Sequence, residues 1–194
     1  KKGRRLHMNI ILASASPRRT EILNLANIKH QVIPSTCKEV IENNLKPQEV
    51  VESLSYQKAK DVYQNNPKSL VIGADTIVTI DHLILGKPHS EEEAIHMLQR
   101  LSGRTHQVIT GVTIMCQGVV KTFHEITEVT FAPLTIDQIK NYIQTENVYD
   151  KAGSYAVQGS FCKFISKING DFYNVVGLPI SRLYKELKEF NYEI

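Results

Sequence analysis

The sequence predicts a mixed-sheet protein, α/β or α+β, in which short apolar strands are interleaved with helices. Three observations carry that prediction. Ile10-Ile-Leu-Ala13 runs straight into Ser14-Ala-Ser-Pro17, a strand entering a helix. Ser69-Leu-Val-Ile-Gly-Ala74 is a short, strongly apolar segment with the character of a central strand. From Thr105 to Phe131 the pattern is β throughout.

The elements follow in order. Asn9–Ala13 is a buried strand. Pro17–Ala26 is a helix with Ser16 as its cap and Pro17 at its first position, and Ile22, Leu23, Leu25 and Ala26 are expected inward. His30–Pro34 is a second strand. Pro47–Tyr63 is a helix whose apolar side is Val50, Val51, Leu54, Ala59 and Val62. After the strand Ser69–Ala74, Ile77–Ile80 and Leu83–Leu85 form a small hairpin around Asp81-His82. Ser90 caps a helix that runs to Leu101, with Glu91, Glu92 and Glu93 against its positive end, and Ser102-Gly103 stops it. Two long antiparallel strands turn at Gln117-Gly118. Thr135–Thr145 is a helix, Gly153–Ile168 mixes short strands with turns, Asn169-Gly170 is a hairpin signal, and Pro179–Phe190 is the closing helix.

The 194 residues make one large domain or two small lobes, with 42% hydrophobic and 22% charged residues. Lys1-Lys-Gly-Arg-Arg-Leu-His7 resembles a vector-derived leader, which makes Met8 the expected start of a single domain over 8–194. Without Lys1, Lys2, Arg4 and Arg5 the formal charge falls from +3 to −1, so basic character is no argument for nucleic acid. The apolar run Ile10–Ala13 is too short for a signal peptide, and no stretch approaches a membrane span. Cys37, Cys116 and Cys162 are odd in number and scattered, which points to a reducing, cytoplasmic setting. There is no Walker A loop, no GxGxxG before a helix, no GxSxG elbow and no His-Glu-x-x-His pair.

Arg18 and Arg19 fall in the first turn of their helix, where the macrodipole is already positive. Paired arginines there suit an anion brought to them, with Ser14 and Ser16 as further donors; the alternative is that they are solvated or pair with an acid. Asp75 follows an apolar strand in Gly73-Ala-Asp-Thr76, where an acid binds a divalent metal, orients a water or closes an Asx-turn. Gly86-Lys87-Pro88 and Lys58 are weak signals on their own. Gln158, among small residues before Gly159, offers a donor and an acceptor that match the edge of a uracil-type base, or else satisfies loop backbone.

Six blocks in this order resemble the Maf family of nucleoside triphosphate pyrophosphatases. They are Ser14-Ala-Ser-Pro-Arg-Arg19, Gly73-Ala-Asp-Thr-Ile77, Gly86-Lys-Pro88, Leu101-Ser-Gly-Arg-Thr-His106, Asp150-Lys-Ala-Gly153 and Gly177-Leu-Pro179. The resemblance implies a Maf/Ham1-like α/β fold, a mixed sheet with flanking helices and two lobes around a nucleotide cleft. It implies hydrolysis of a nucleoside triphosphate, dTTP or UTP in this branch, to monophosphate and diphosphate. A divalent metal, Mg²⁺ or Mn²⁺, and a homodimer are implied as well. Asp75 takes the role of proton acceptor; Arg18, Thr76 and Gln158 those of specificity positions; Lys58, Lys87 and Glu39 those of charged cleft positions, with Glu39 and Asp75 as the metal ligands. Cys37-Lys38 departs from the more acidic context usual beside Glu39. The alternatives are a nucleotide-binding regulator of septum formation without turnover and a pyrophosphatase for modified purine triphosphates.

Overall fold

The computed structural model describes residues 8–192. The leader expected at residues 1–7 lies outside the described residues. The strands are β1 (Ile10–Leu12), β2 (Gln31–Val32), β3 (Leu70–Ile80), β4 (Leu83–Leu85), β5 (Thr105–Cys116), β6 (Val119–Phe131) and β7 (Ile165–Asn169). The helices are α1 (Pro17–Leu25), α2 (Pro47–Tyr63), α3 (Glu91–Leu101), α4 (Ile136–Thr145), α5 (Phe172–Val176) and α6 (Ile180–Glu189). One mixed seven-stranded sheet runs β2-β1-β3-β5-β6-β7, with β4 on the outer edge of β3. The β1 pairings with β2 and β3 are parallel; the rest are antiparallel. The predicted class holds, as an α/β sheet flanked by helices.

The two faces of β3 and β5 are built differently. The odd-numbered face carries α2, whose Ala59 and Val62 pack on Ile11, Val71 and Met115, and whose Val51 meets Ile77 and Ile109. Two glycines let the α2 backbone lie down on the sheet. A Cβ on Gly73 would stand 2.4 Å from the Ser55 carbonyl oxygen, and one on Gly111 2.2 Å from that of Val51. The even-numbered face carries two separate cores. Leu70, Ile72, Ala74, Val112 and Ile114 pack under α1 and α6, while Val78, Ile80 and Val108 pack under α3 and α4. Between them lie Thr76 and Thr110, register partners whose hydroxyls are 2.8 Å apart. The two lobes are therefore two cores on one sheet, parted at a polar seam.

Ser16 stands at the N-cap of α1 but its side chain makes no capping hydrogen bond; the caps of α3 and α4 are made by side chains. Ser90 Oγ accepts from Glu93 N at 3.1 Å, and Thr135 forms a capping box with Gln138. Three expectations are corrected. Leu25 is 70% exposed, because at 100° per residue it lies opposite Leu23, which is buried. The strand expected at Ser69–Ala74 does not stop there: β5 pairs β3 from Val71 to Thr79, carrying it through Gly73-Ala-Asp-Thr76. Asn169-Gly170 is not a hairpin turn, since the chain leaves β7 there into α5, capped by Asp171 Oδ1 accepting from Asn174 N.

Candidate active site

Asp75 stands in the middle of β3 rather than after a strand, yet it lies at an open edge. On its outer side β3 pairs β1 only over Leu70–Ile72 and β4 only over Val78–Ile80. Residues 73–77 have no strand beside them on that side, and β1 ends there in the loop leading to α1. This is a switch from a parallel to an antiparallel neighbour, the kind of place where α/β sheets bind ligands.

A cavity of about 490 Å³ opens at this gap. Ser14, Arg18, Glu39, Lys58, Asp75, Thr76 and Lys87 all line it. Because side chains alternate along β3, Asp75 points to the α2 face and Thr76 to the seam, and the unpaired edge lets one cavity reach both. Gln158 is brought no closer than its neighbour: Val157 lines the cavity, whereas Gln158 is exposed outside the lining.

Lys58 is the centre of the charge arrangement. Its Nζ is 2.7 Å from Asp75 Oδ1 and 3.1 Å from Glu39 Oε1. Arg18, half-buried, and Lys87, exposed, line the same cavity and make no ion pair among the described residues. The loop of Lys87 is tied across the cleft entrance by Gly153 N donating to Gly86 O at 3.1 Å. Asp150 and Lys151 pair at 2.9 Å. Burial pushes the Asp150 carboxyl up, but Lys151 and Arg18 outweigh it and hold it below its usual range.

Arg19 departs from the expectation that both arginines await an anion. It is buried, and its guanidinium donates to the Gly177 carbonyl at 2.8 Å, Ser14 Oγ at 2.9 Å and Thr76 Oγ1 at 3.0 Å. Burial lowers its pKa; Asp75 acts in the opposite direction. It therefore bolts β1–α1, β3 and the α5–α6 junction together. Ser14 Oγ also accepts from Ser16 N at 3.2 Å, so both its lone pairs are used and its own proton is free for a ligand oxygen. Thr76 Oγ1, between Arg19 and Thr110, is already engaged.

Sequence reasoning missed Lys151, Tyr155 and the apolar wall of Val78, Val108, Val157, Val175 and Val176. Tyr155 shares a hydrogen bond of 2.6 Å with His106 Nε2, and both are buried. Lys151 was visible in the block Asp150-Lys-Ala-Gly153; the wall carries no local signal, since its valines come from distant segments.

A larger hollow, about 760 Å³, lies by the α2 N-terminus and the β3–β4 turn. It holds none of the predicted site residues, and its Arg104 is already paired with Asp81 at 2.8 and 2.5 Å. Convergent chemistry, rather than volume, makes the smaller cavity the candidate site.

Two carboxylates meeting at Lys58 make no complete cage, and no group of three His, Cys, Asp or Glu residues among the described ones does. They fit an Mg²⁺-type ion shared with a substrate, because such an ion takes one or two carboxylates, phosphate oxygens and waters.

The chain is similar to known proteins over most of its length. The profile of the Maf-like protein family matches residues 9–190. A protein of Bacillus velezensis named dTTP/UTP pyrophosphatase is 53% identical over 94% of this chain and 96% of its own length. Proteins of the same name from a Bacillus cereus strain and from Bacillus pumilus are each 52% identical, over 95% and 93% of this chain and 97% and 96% of their own lengths. The solved Ham1 protein of Staphylococcus aureus overlays on 64% of this chain and 72% of its own, at 14% identity and a TM-score of 0.43.

Proposed function

The chain belongs to the Maf family, and on that premise we propose that it is a nucleoside triphosphate pyrophosphatase, hydrolysing dTTP and UTP to the monophosphate and diphosphate. The observation that carries this reading is one cavity lined by Arg18, Lys58 and Lys87 together with the carboxylate of Asp75. The substrate class follows the names of the relatives.

A triphosphate tail brings close to four negative charges. Arg18 and Lys87, unpaired among the described residues, meet it first, and the free proton of Ser14 adds a donor. The base lies against the wall of Val78, Val108, Tyr155 and Val157, with Gln158 reading its edge from the rim. Asp75 orients a water and takes its proton as the water oxygen bonds to the α-phosphorus. The bond from that phosphorus to the bridging oxygen breaks, and diphosphate leaves toward Lys87 and Arg18, whose charges offset the negative charge building on it. A divalent cation, when bound, supplies Lewis-acid neutralisation of the phosphate oxygens, and Glu39 and Asp75 are the residues that would hold it. Arg19 and Thr76 position Ser14 and the floor of the cleft. No helix among the described residues is long and apolar enough to cross a membrane. A cytoplasmic single domain that pairs as a homodimer and does not bind nucleic acid completes the reading.

Diphosphate release from a panel of triphosphates with Mg²⁺ or Mn²⁺ tests it. Asp75→Asn is expected to keep nucleotide binding and to lose at least about 10²-fold in turnover. Turnover equal to the parent, or a panel in which dTTP and UTP are not preferred, overturns the assignment.

A further inference from the structure

We propose that Lys58 is an internal stand-in for the divalent cation, holding the position between Glu39 and Asp75 in the free protein and leaving it only when a polyphosphate gives its ammonium a new partner. This rests on the metal-using pyrophosphatase reading above and adds an order of events to it.

The geometry points to an exchange. Glu39 Oε1 and Asp75 Oδ1 both lie within 3.1 Å of the one Nζ, so two carboxylates converge on a point that a cation occupies. Arg18 and Lys87 make no ion pair among the described residues, whereas Lys58 makes two. The Lys58 backbone is held, because α2 lies directly on Gly73 and Gly111. Its flexible stem still allows the ammonium to swing between carboxylate and phosphate.

Charge counting gives the direction. Two carboxylates and one ammonium leave a net −1, which a dication would more than cancel. In the free protein, however, a dication must displace an ammonium whose only alternative partner is water, and must shed waters that Mg²⁺-type ions release reluctantly. When a triphosphate is in the cleft, the displaced ammonium joins Arg18 and Lys87 on the tail. Metal affinity and nucleotide affinity are then coupled, and by linkage each strengthens the other. Lys58 keeps the free site from filling and commits the cation to arrive with substrate.

Mn²⁺ binding to the full chain, followed by electron paramagnetic resonance without any nucleotide, tests this directly. If Lys58 occupies the position in nine molecules of ten, its removal raises affinity about tenfold. Lys58→Met and Lys58→Gln are both expected to bind Mn²⁺ about tenfold more tightly than the parent. Addition of a non-hydrolysable dTTP analogue is expected to tighten Mn²⁺ binding in the parent far more than in either variant. Equal or weaker Mn²⁺ binding by both variants overturns the stand-in role. If the parent still binds Mn²⁺ with the analogue, the pyrophosphatase reading survives that result. If no protein binds Mn²⁺ even with the analogue, both fall.

Discussion

Arg18 and Arg19 are chemically identical neighbours with opposite fates, and helix phase separates them. One residue further along α1 turns the side chain by 100°, from the open cleft to the seam between the two cores. Arg19 then serves three acceptors at 2.8–3.0 Å, while Arg18 makes no ion pair among the described residues. Their substitutions are expected to separate accordingly. Arg19→Met strands buried acceptors on three segments and is expected to cost about 3 kcal/mol, a fall of roughly 6–12 °C in Tm for a domain of this size. Arg18→Met is expected to leave stability within about 0.5 kcal/mol and to weaken nucleotide binding instead. Thermal unfolding beside nucleotide titration reads both, and an Arg19→Met protein as stable as the parent rules out the bolt. At this scale the sequence was legible in residue type but not in direction. The motif Ser14-Ala-Ser-Pro-Arg-Arg19 announced an anion site, yet which guanidinium stays free depends on the position of Gly177 and Thr76, far away along the chain. Gln158 shows the same limit: its amide chemistry was readable, whereas its exposure outside the cavity lining was set by packing of Val157 into the core.

Elements were legible where caps and long apolar patterns agreed. α2 keeps the predicted bounds Pro47–Tyr63, and the turn at Gln117-Gly118 joins β5 to β6 as expected. The failure at β3 has a physical cause. Gly73-Ala-Asp75 lacks strand propensity, but nine consecutive register partners on β5 hold it extended. The same two strands fix the height of α2, and so decide whether Lys58 can reach Asp75. Added methyl groups at Gly73 or Gly111 would meet carbonyl oxygens of α2 at 2.4 and 2.2 Å, so the helix has to lift. Gly73→Ala and Gly111→Ala are each expected to lower stability by about 1–3 kcal/mol and to cut turnover by lifting Lys58, with α2, away from the cleft. Gly86→Ala, where a methyl meets nothing within 4 Å, is the stability control. Wild-type urea midpoints for both sheet glycine variants would mean that α2 does not rest on the backbone in this way.

At the scale of the whole molecule, a buried histidine is tied through Tyr155 to the wall of the cleft, beside the core under α3 and α4. His106 is 2% exposed, packs edge-on to Phe131 at 4.8 Å and bonds Tyr155, a residue of the cleft wall. Its Nδ1 is buried with no hydrogen-bond partner among the described residues, so a protonated ring would leave a charged donor in apolar surroundings. Burial holds its pKa down to about 4, against roughly 6.5 in an unfolded chain. Above about pH 6.5 both states carry a neutral ring, and His106 contributes nothing to pH dependence. As pH falls below that value the unfolded chain takes up a proton that the folded one refuses, so stability drops until about pH 4, by about 3 kcal/mol in all. Asp61 and Glu186 act lower: each is held below its usual value, so their stabilisation is lost only as pH falls into and below the carboxylate range. Hydrogen bonds from Ser35 and Thr36 lower Asp61; for Glu186, burial raises the carboxyl but Lys121 and Arg182 outweigh it. The window between about pH 6.5 and 4.5 therefore isolates the histidine. Urea midpoints of the parent are expected to fall across that window more steeply than those of His106→Gln, which keeps a polar partner for Tyr155 and cannot titrate. Every group other than residue 106 is common to both proteins, so the difference between the two curves reports the histidine alone. Parallel midpoints would mean that the ring protonates in place, and that this wall of the cavity is wetter than its packing implies.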